Sequence, residues 1–283
     1  MSGTGLDEAE LERKLERTAA MLESLGMVAV GFSGGVDSTF LAAICAHAIP
    51  QRTLLVNLDT PFSTSPERNS LRAVTERLGL PLATVQLDPL RDPMVAGNPP
   101  DRCYHCKRLG FQAIARKAQE HGYTTILEGS NADDAHDDRP GMRALRELGV
   151  VSPLMDAGWR KIEERALLRR WGFPAWDMPA GACLATRVAH GEPLDKAKLA
   201  FARQVEDALR QSGLRQIRCR LSAGTARLEM SRDDLRTLME WGGEEHDDDS
   251  AGIPRDLLET IGGMGDGWKI DPIARAYGRG DRS

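Results

Sequence analysis

The chain has 283 residues, 41% of them hydrophobic, with a formal net charge of −5 and five cysteines. That suffices for one large or two ordinary domains with proper cores, and the acidic balance excludes an overall basic field for nucleic acid. The longest apolar stretch, Phe40 to Ile49, is broken by His47 and too short to span a membrane. The opening Asp7-Glu8-Ala9-Glu10 is acidic, unlike a secretory signal, and an odd cysteine number argues against a disulfide framework. A cytoplasmic protein without a membrane partner is expected.

In chain order, Leu6 to Leu25 reads as an amphipathic helix, with Leu11, Leu15, Ala19 and Leu22 on one face. A short buried strand follows at Val28–Val30, then a Ser-Gly-Gly turn, then a helix from Ser38 to His47. Further strands are expected at Thr53–Leu58, Leu82–Leu87 and Thr124–Leu127, alternating with helices at Pro66–Leu78 and Leu109–His121. This alternation predicts an α/β fold with a doubly wound parallel sheet, whose ligands bind beyond the carboxyl ends of the strands. A helix at Ile162–Trp171 precedes a Gly/Pro-rich passage, Gly172 to Gly181, which divides residues 1–174 from a second, smaller α+β domain at 175–283. That domain reads as a helix at Asp195–Ser212, paired strands at Gln216–Leu221 and Arg227–Met230, helices at Asp233–Trp241 and Pro254–Ile261, and a last strand at Trp268–Ile270. The charge run Glu244 to Ser250 reads as a flexible solvated loop.

The turn after the first strand, Ser33-Gly34-Gly35-Val36-Asp37-Ser38, is the most informative segment. A loop of this kind offers consecutive N–H groups and a helix N-terminus to an anion, and its glycines admit a phosphate closely. Ser38 can hydrogen-bond a phosphate, and Asp37 can hold a magnesium ion. No Walker lysine is present. Gly31-Phe32-Ser33-Gly34-Gly35 also matches the nucleophile elbow of serine hydrolases, with Ser33 as nucleophile and His190 or His246 as late candidates for the base. The full six-residue string resembles the PP-loop of ATP pyrophosphatases, which cleave ATP to AMP and pyrophosphate.

Cys103-Tyr104-His105-Cys106 follows a loop-like lead-in, Asn98 to Arg102. Such a pair reads as half a metal site, a redox dithiol or a coincidence of spacing. Cys183, in the Gly/Pro-rich passage beside Arg187, is the candidate third ligand. Three thiolates can hold a cubane iron–sulfur cluster with one iron open, whereas zinc would want a fourth ligand such as His105 or His136. Cys45 and Cys219 sit in apolar or strand-like segments and read as core residues.

Four blocks together resemble the LarE family of ATP-dependent sulfur transferases, which act in nickel-pincer nucleotide cofactor biosynthesis. They are Ser33–Ser38; Asn98–Lys107; Glu128-Gly129-Ser130-Asn131-Ala132-Asp133-Asp134 with Asp138-Arg139-Pro140-Gly141 and Val151-Ser152-Pro153-Leu154; and Pro179–Arg187. The closing Ala276 to Gly280 has the same character. The resemblance implies ATP binding by Ser33, Gly34, Gly35, Val36, Asp37, Ser38, Gly129 and Asp133, with Mg²⁺ on Asp37 and Asp133 touching ribose or a second metal. Asp133 reads equally as a helix cap. It implies a pyridinium mononucleotide substrate, adenylated on a carboxylate and converted to a thiocarboxylate, with its phosphate on Arg187, Arg218 and Arg220. Arg218 and Arg220, two apart on a strand, share a face. The sulfur comes either from Cys183, which is sacrificed, or from sulfide or another donor through a 4Fe–4S cluster on Cys103, Cys106 and Cys183. Arg187 would favour the Cys183 thiolate. The segment Gly242 to Asp249 departs from the family pattern, and Arg218 to Gly224 lacks the histidine often found before the glycine. A homo-oligomer with no stable nucleic-acid partner is expected. A tRNA thiolation enzyme shares the PP-loop and the cysteines and remains an alternative.

Overall fold

The structure, a computed structural model, describes residues 7–134, 140–179, 182–247, 249–265 and 267–277. Several residues singled out in the sequence lie outside these ranges: His136, Asp138, Arg139, Ala180, Gly181 and Gly278 to Gly280.

The chain divides into two compact units, residues 1–95 with 101–178, and residues 96–100 with 179–283. The first opens with helix α1 (Glu8–Ser24), started by the Asp7 carboxylate, which accepts the Ala9 N–H at 3.0 Å. Strands β1 (Val28–Gly31), β2 (Thr53–Asp59), β3 (Leu82–Gln86) and β4 (Thr125–Leu127) form a parallel sheet in the order β3-β2-β1-β4. Helices α2 (Val36–Ala48), α3 (Ser65–Leu78), the single turn α4 (Pro93–Ala96) and α5 (Arg102–Glu120) connect them. Helices α6 (Pro140–Glu147), α7 (Pro153–Asp156) and α8 (Lys161–Arg170) follow.

Val28, Ala29 and Val30 are fully buried because helices cover both faces of β1. Val28 and Val30 pack with Phe40, Leu41, Trp159 and Leu167 on one side. Ala29 packs with Ile114 and Ala118 of α5 on the other. Burial of each large aliphatic side chain contributes about 1.5–3 kcal/mol before chain entropy is charged against it. The indole of Trp159 keeps its N–H satisfied inside the core by donating to Thr18 Oγ1 at 2.8 Å.

The strand order places the site. From β1 the chain moves to β2 and β3 on one side, then returns to place β4 on the other, so β1 and β4 flank a topological switch point. The loops after Gly31 and after Leu127 therefore emerge side by side.

The second unit carries α9 (Lys196–Gln211) and a mixed sheet in the order β5-β6-β10-β8-β7. It is formed by β5 (Ile217–Ser222), β6 (Thr225–Met230), β7 (Glu245–Asp247), β8 (Ser250–Gly252) and β10 (Ile273–Ala276), with β9 (Lys269–Ile270) paired to β6. Helices α10 (Arg232–Glu240) and α11 (Arg255–Gly262) complete it. The run Glu244 to Ser250 is not simply a solvated loop. It contributes strand β7 and the first residue of β8, which pairs with β10, and Asp249 is buried against Arg232 at 2.7 Å. Charge density concealed short strands whose hydrogen bonds need no apolar alternation.

The lead-in to the cysteine pair is also more ordered than its composition implies. Helix α5 begins at Arg102 rather than Leu109, so Cys103 and Cys106 lie in its first turns.

Candidate functional site

In the first unit the Ser33–Ser38 segment joins β1 to α2. Gly34 takes φ +81°, which only glycine adopts without strain. A Cβ there would come within 2.9 Å of the Glu67 carbonyl, and Ser70 Oγ donates to the Gly34 carbonyl at 2.6 Å. The loop is thus clamped onto α3, whose start is fixed by a capping box between Thr64 and Glu67. Gly35 is the N-cap of α2, Val36 is buried, and Asp37 and Ser38 occupy the first turn. Ser38 Oγ donates to the Gly35 carbonyl at 3.2 Å.

Ser33 Oγ lies 3.2 Å from Ser38 Oγ and accepts the Gly35 N–H at 3.2 Å. These partners fix it in the loop, and no histidine is among them in the described residues, so nothing here prepares Ser33 as a nucleophile.

Gly129 follows β4 and packs closely on the start of α2. A Cβ there would sit 3.0 Å from the Asp37 carbonyl carbon and the Ser38 nitrogen. Asp133 does not join Asp37. Its carboxylate accepts the Lys161 N–H at 2.9 Å and lies 3.6 Å from Arg160 Nε, closing the start of α8. This is a helix-capping contact, made to the exposed first N–H of α8.

Three side chains that the sequence reading did not assign surround Asp37. Lys161 Nζ is paired with Asp37 Oδ1. Asn131 Nδ2 donates to Asp37 Oδ1 at 3.3 Å and to Glu164 Oε1 at 2.9 Å. Glu164 is fully buried, and its Oε2 has no hydrogen-bond partner. Burial first, then the hydrogen bond and charge of Asp37, push the Glu164 carboxyl far above the usual carboxylate range. Two adjacent carboxylates, one with an orphaned oxygen, fit a divalent cation whose other ligands are phosphate oxygens and water. Among the described residues no three His, Cys, Asp or Glu side chains gather around one point. The signal for Glu164 was available: it shares the buried face of α8 with Leu167 and Leu168, where a carboxylate without a task is costly.

Cys103 is exposed, and Arg102, itself buried, donates to its Sγ at 3.3 Å. Cys106 is half-buried and Cys183 exposed, and none of the five cysteines is in a disulfide. Cys45 and Cys219 are buried, as expected. Burial pushes the Cys45 thiol up to about 12, and burial and Glu206 push Cys219 up as well.

In the second unit Cys183 precedes a helical turn, Leu184–Arg187. Arg187 is buried and forms a bidentate pair with Glu206, while its Nη1 donates to the Ala182 carbonyl at 3.1 Å. Desolvation lowers its proton affinity, but Glu206 outweighs this and holds the guanidinium above its usual range, with Tyr277 and Cys183 adding. Arg187 is therefore held by Glu206 and by the Cys183 loop.

Arg218 and Arg220 share the half-buried face of β5, as the alternation requires, opposite Glu229 and Arg227 on β6. Burial and the charges of Arg187 and Arg220 lower the Arg218 guanidinium, which lies 4.8 Å from the Tyr277 ring. Arg220 donates to Glu229 at 2.9 Å and to the Thr186 carbonyl at 2.6 Å. A pocket of about 420 Å³ is lined by Arg187, His190, Arg220, Arg227 and Glu229. An excess of guanidinium over carboxylate in a concave surface favours an anion.

The phosphate loop at a parallel-sheet switch point, with a carboxylate in its first helical turn, defines a PP-loop ATP-cleaving protein. A family model for NAD synthase matches residues 9–116. An uncharacterized protein of Synechocystis sp. is 31% identical over 230 residues, covering 81% of this chain and 86% of that one. The pyridinium-3,5-bisthiocarboxylic acid mononucleotide synthase of Lactiplantibacillus plantarum is 29% identical over 223 residues, covering 78% and 81%. A glutamine-hydrolyzing GMP synthase of Aeropyrum pernix is 28% identical over 211 residues, covering 67% and 40%. The chain belongs to the LarE family of ATP-dependent sulfur transferases. No helix of the described residues is long and apolar enough to cross a membrane.

Proposed function

We propose that this enzyme adenylates a carboxylate of a pyridinium dicarboxylate mononucleotide and converts it to a thiocarboxylate, as a step in building a nickel-pincer nucleotide. The Lactiplantibacillus relative's activity supports the substrate class. The observation that carries the reading is Cys183, exposed at the head of a turn whose Arg187 leads into an arginine-rich pocket, in a chain that also has a PP-loop.

A carboxylate is a poor electrophile because oxide is a poor leaving group. Its oxygen attacks the α-phosphorus of ATP, the bond to the bridging oxygen breaks, and pyrophosphate departs into the N–H groups of Val36 to Ser38. Charge builds on the phosphate oxygens, so positioning and electrostatics supply most of the rate. Asp37 and Glu164 would hold Mg²⁺, which neutralises that charge. A sulfur nucleophile then attacks the acyl carbon, the C–O bond breaks, and AMP leaves. Arg218 and Arg220 bind the nucleotide's phosphate.

Cys103, Cys106 and Cys183, the three cysteines outside the cores, would hold a 4Fe–4S cluster, which would supply an open iron able to take up sulfide for repeated transfer. The enzyme works in the cytoplasm as a homo-oligomer, without nucleic acid; the acidic net charge supports the last point.

Anaerobic purification with iron and sulfide analysis, then incubation with ATP and the pyridinium mononucleotide, tests this. AMP and pyrophosphate should form only with that substrate, and Cys183 should keep its sulfur over several turnovers. Iron-free protein losing the mass of H₂S from Cys183 would replace the cluster with a sacrificial cysteine. Release of AMP with tRNA alone would overturn the substrate.

A further inference from the structure

Lys161 occupies an unusual position. It is the first residue of α8, and its ammonium is paired with Asp37, the carboxylate in the first turn of α2. The same ammonium lies 3.8 Å from Glu164 Oε2, the buried oxygen without a hydrogen-bond partner. Asn131 bridges the same two carboxylates from the opposite loop. Lys161 thus stands between the two groups that suit a divalent cation.

The electrostatics of exchange follow. A divalent ion between Asp37 and Glu164 is repelled by an ammonium at the same place, so the two cannot share it. The backbone of Lys161 is fixed, its N–H held by Asp133 at 2.9 Å and the neighbouring Arg160 N–H by Glu163 at 2.7 Å, while the four-carbon arm is about one-third exposed. The head group can swing without moving the helix. Released beside the PP-loop, a cation's natural partner is the triphosphate, which gains negative charge at the oxygens of the reacting phosphorus.

We infer that Lys161 is the resident counter-ion of the metal position, and that it yields Asp37 to the divalent cation when nucleotide enters and then pairs with the phosphate chain. No bond is made or broken in this exchange. The inference rests on ATP being cleaved at this loop, but not on the identity of the sulfur acceptor.

Mn²⁺ titration of the nucleotide-free protein, followed by electron paramagnetic resonance, tests it directly. Lys161→Met should bind Mn²⁺ more tightly than the wild type, by about tenfold or more, because a competing charge is gone. The same variant should bind metal-free ATP more weakly and cleave Mg·ATP more slowly. Lys161→Arg, which keeps the charge, should retain weak Mn²⁺ binding and controls for folding. Unchanged or weaker Mn²⁺ binding by Lys161→Met, with Lys161→Arg folded and unchanged, would overturn the exchange. Failure to form thiocarboxylate, with the Mn²⁺ effect intact, would sink the proposed reaction instead.

Discussion

Arg187 and Glu206 hold each other at 2.6 Å and 3.1 Å through two parallel hydrogen bonds, both side chains buried. Glu206 also accepts the Cys219 N–H at 3.0 Å and Arg210 Nη2 at 2.9 Å, so one carboxylate ties the Cys183 turn, α9 and β5 together. Removing one partner of such a pair leaves an uncompensated buried charge and typically costs about 3–5 kcal/mol. Glu206→Ala should therefore lower stability to urea by that order. It should also speed alkylation of Cys183, because Arg187, which donates to the Ala182 carbonyl of that turn, loses the partner that fixes it. A loss under about 1 kcal/mol would mean that the junction is held mainly by apolar packing.

Two glycines around the phosphate loop give a sharper structural test. Gly129→Ala places a methyl 3.0 Å from the backbone at Asp37 and Ser38, and Gly34→Ala adds a contact of 2.9 Å to a φ of +81°. Overpacking of this kind costs about 1–3 kcal/mol, and in each variant the PP-loop backbone is one of the parts that must yield. ATP affinity should fall about tenfold in either variant, with far-ultraviolet circular dichroism unchanged. Wild-type affinity in Gly129→Ala would show that the loop after β4 gives way instead.

The sheet and the phosphate loop were legible because β1 is uniformly apolar and its turn residues are specific. The shared face of Arg218 and Arg220 followed from strand alternation alone. Glu164 and Glu206 were not recognised, although each interrupts an apolar stripe: Leu167 and Leu168 flank one, Val205 and Leu209 the other. A helical period locates such a carboxylate but cannot name its partner, because Asp37 and Arg187 come from distant segments. Local sequence likewise advertises a charge beside Cys183 but not its partner Glu206. The start of α5 was hidden by the prolines before it, although Pro99 and Pro100 precede the first helical residue and do not interrupt the helix.

The cysteines separate by environment, with a consequence at alkaline pH. The Cys45 thiol is pushed up to about 12 by burial, from an ordinary value near 9, and Cys219 is raised too. A raised pKa means that the folded state keeps the proton while the unfolded chain releases it above pH 9. The stability contributed is thus fully present below pH 9 and is lost as pH rises towards 12. Urea midpoints should stay level from pH 7 to 8.5 and then fall, and Cys45→Ala should flatten that fall. In the native state at pH 8, iodoacetamide should modify Cys103 and Cys183 and spare Cys45 and Cys219, as read by peptide mass. Native labelling of Cys45 would show that the core around α2 opens readily.

The arginine face of β5 predicts a separation between substrate and nucleotide. Arg220 is held by Glu229 and the Thr186 carbonyl, which aim it at the pocket, while burial and neighbouring positive charges leave Arg218 less comfortable as a cation. A bound phosphate would relieve that repulsion, and a charge-assisted hydrogen bond of this type contributes about 1.5–3 kcal/mol. Arg218→Ala and Arg220→Ala should each raise the KM for the pyridinium mononucleotide about tenfold or more, while the KM for ATP stays within about twofold of wild type. The split matters, because damage to the fold would raise both constants. Salt should weaken substrate binding in the wild type and do so less in either variant, since fewer charged contacts remain to be screened. Equal losses for both ligands would assign these arginines to holding β5 against β6, and the phosphate would then have to bind elsewhere.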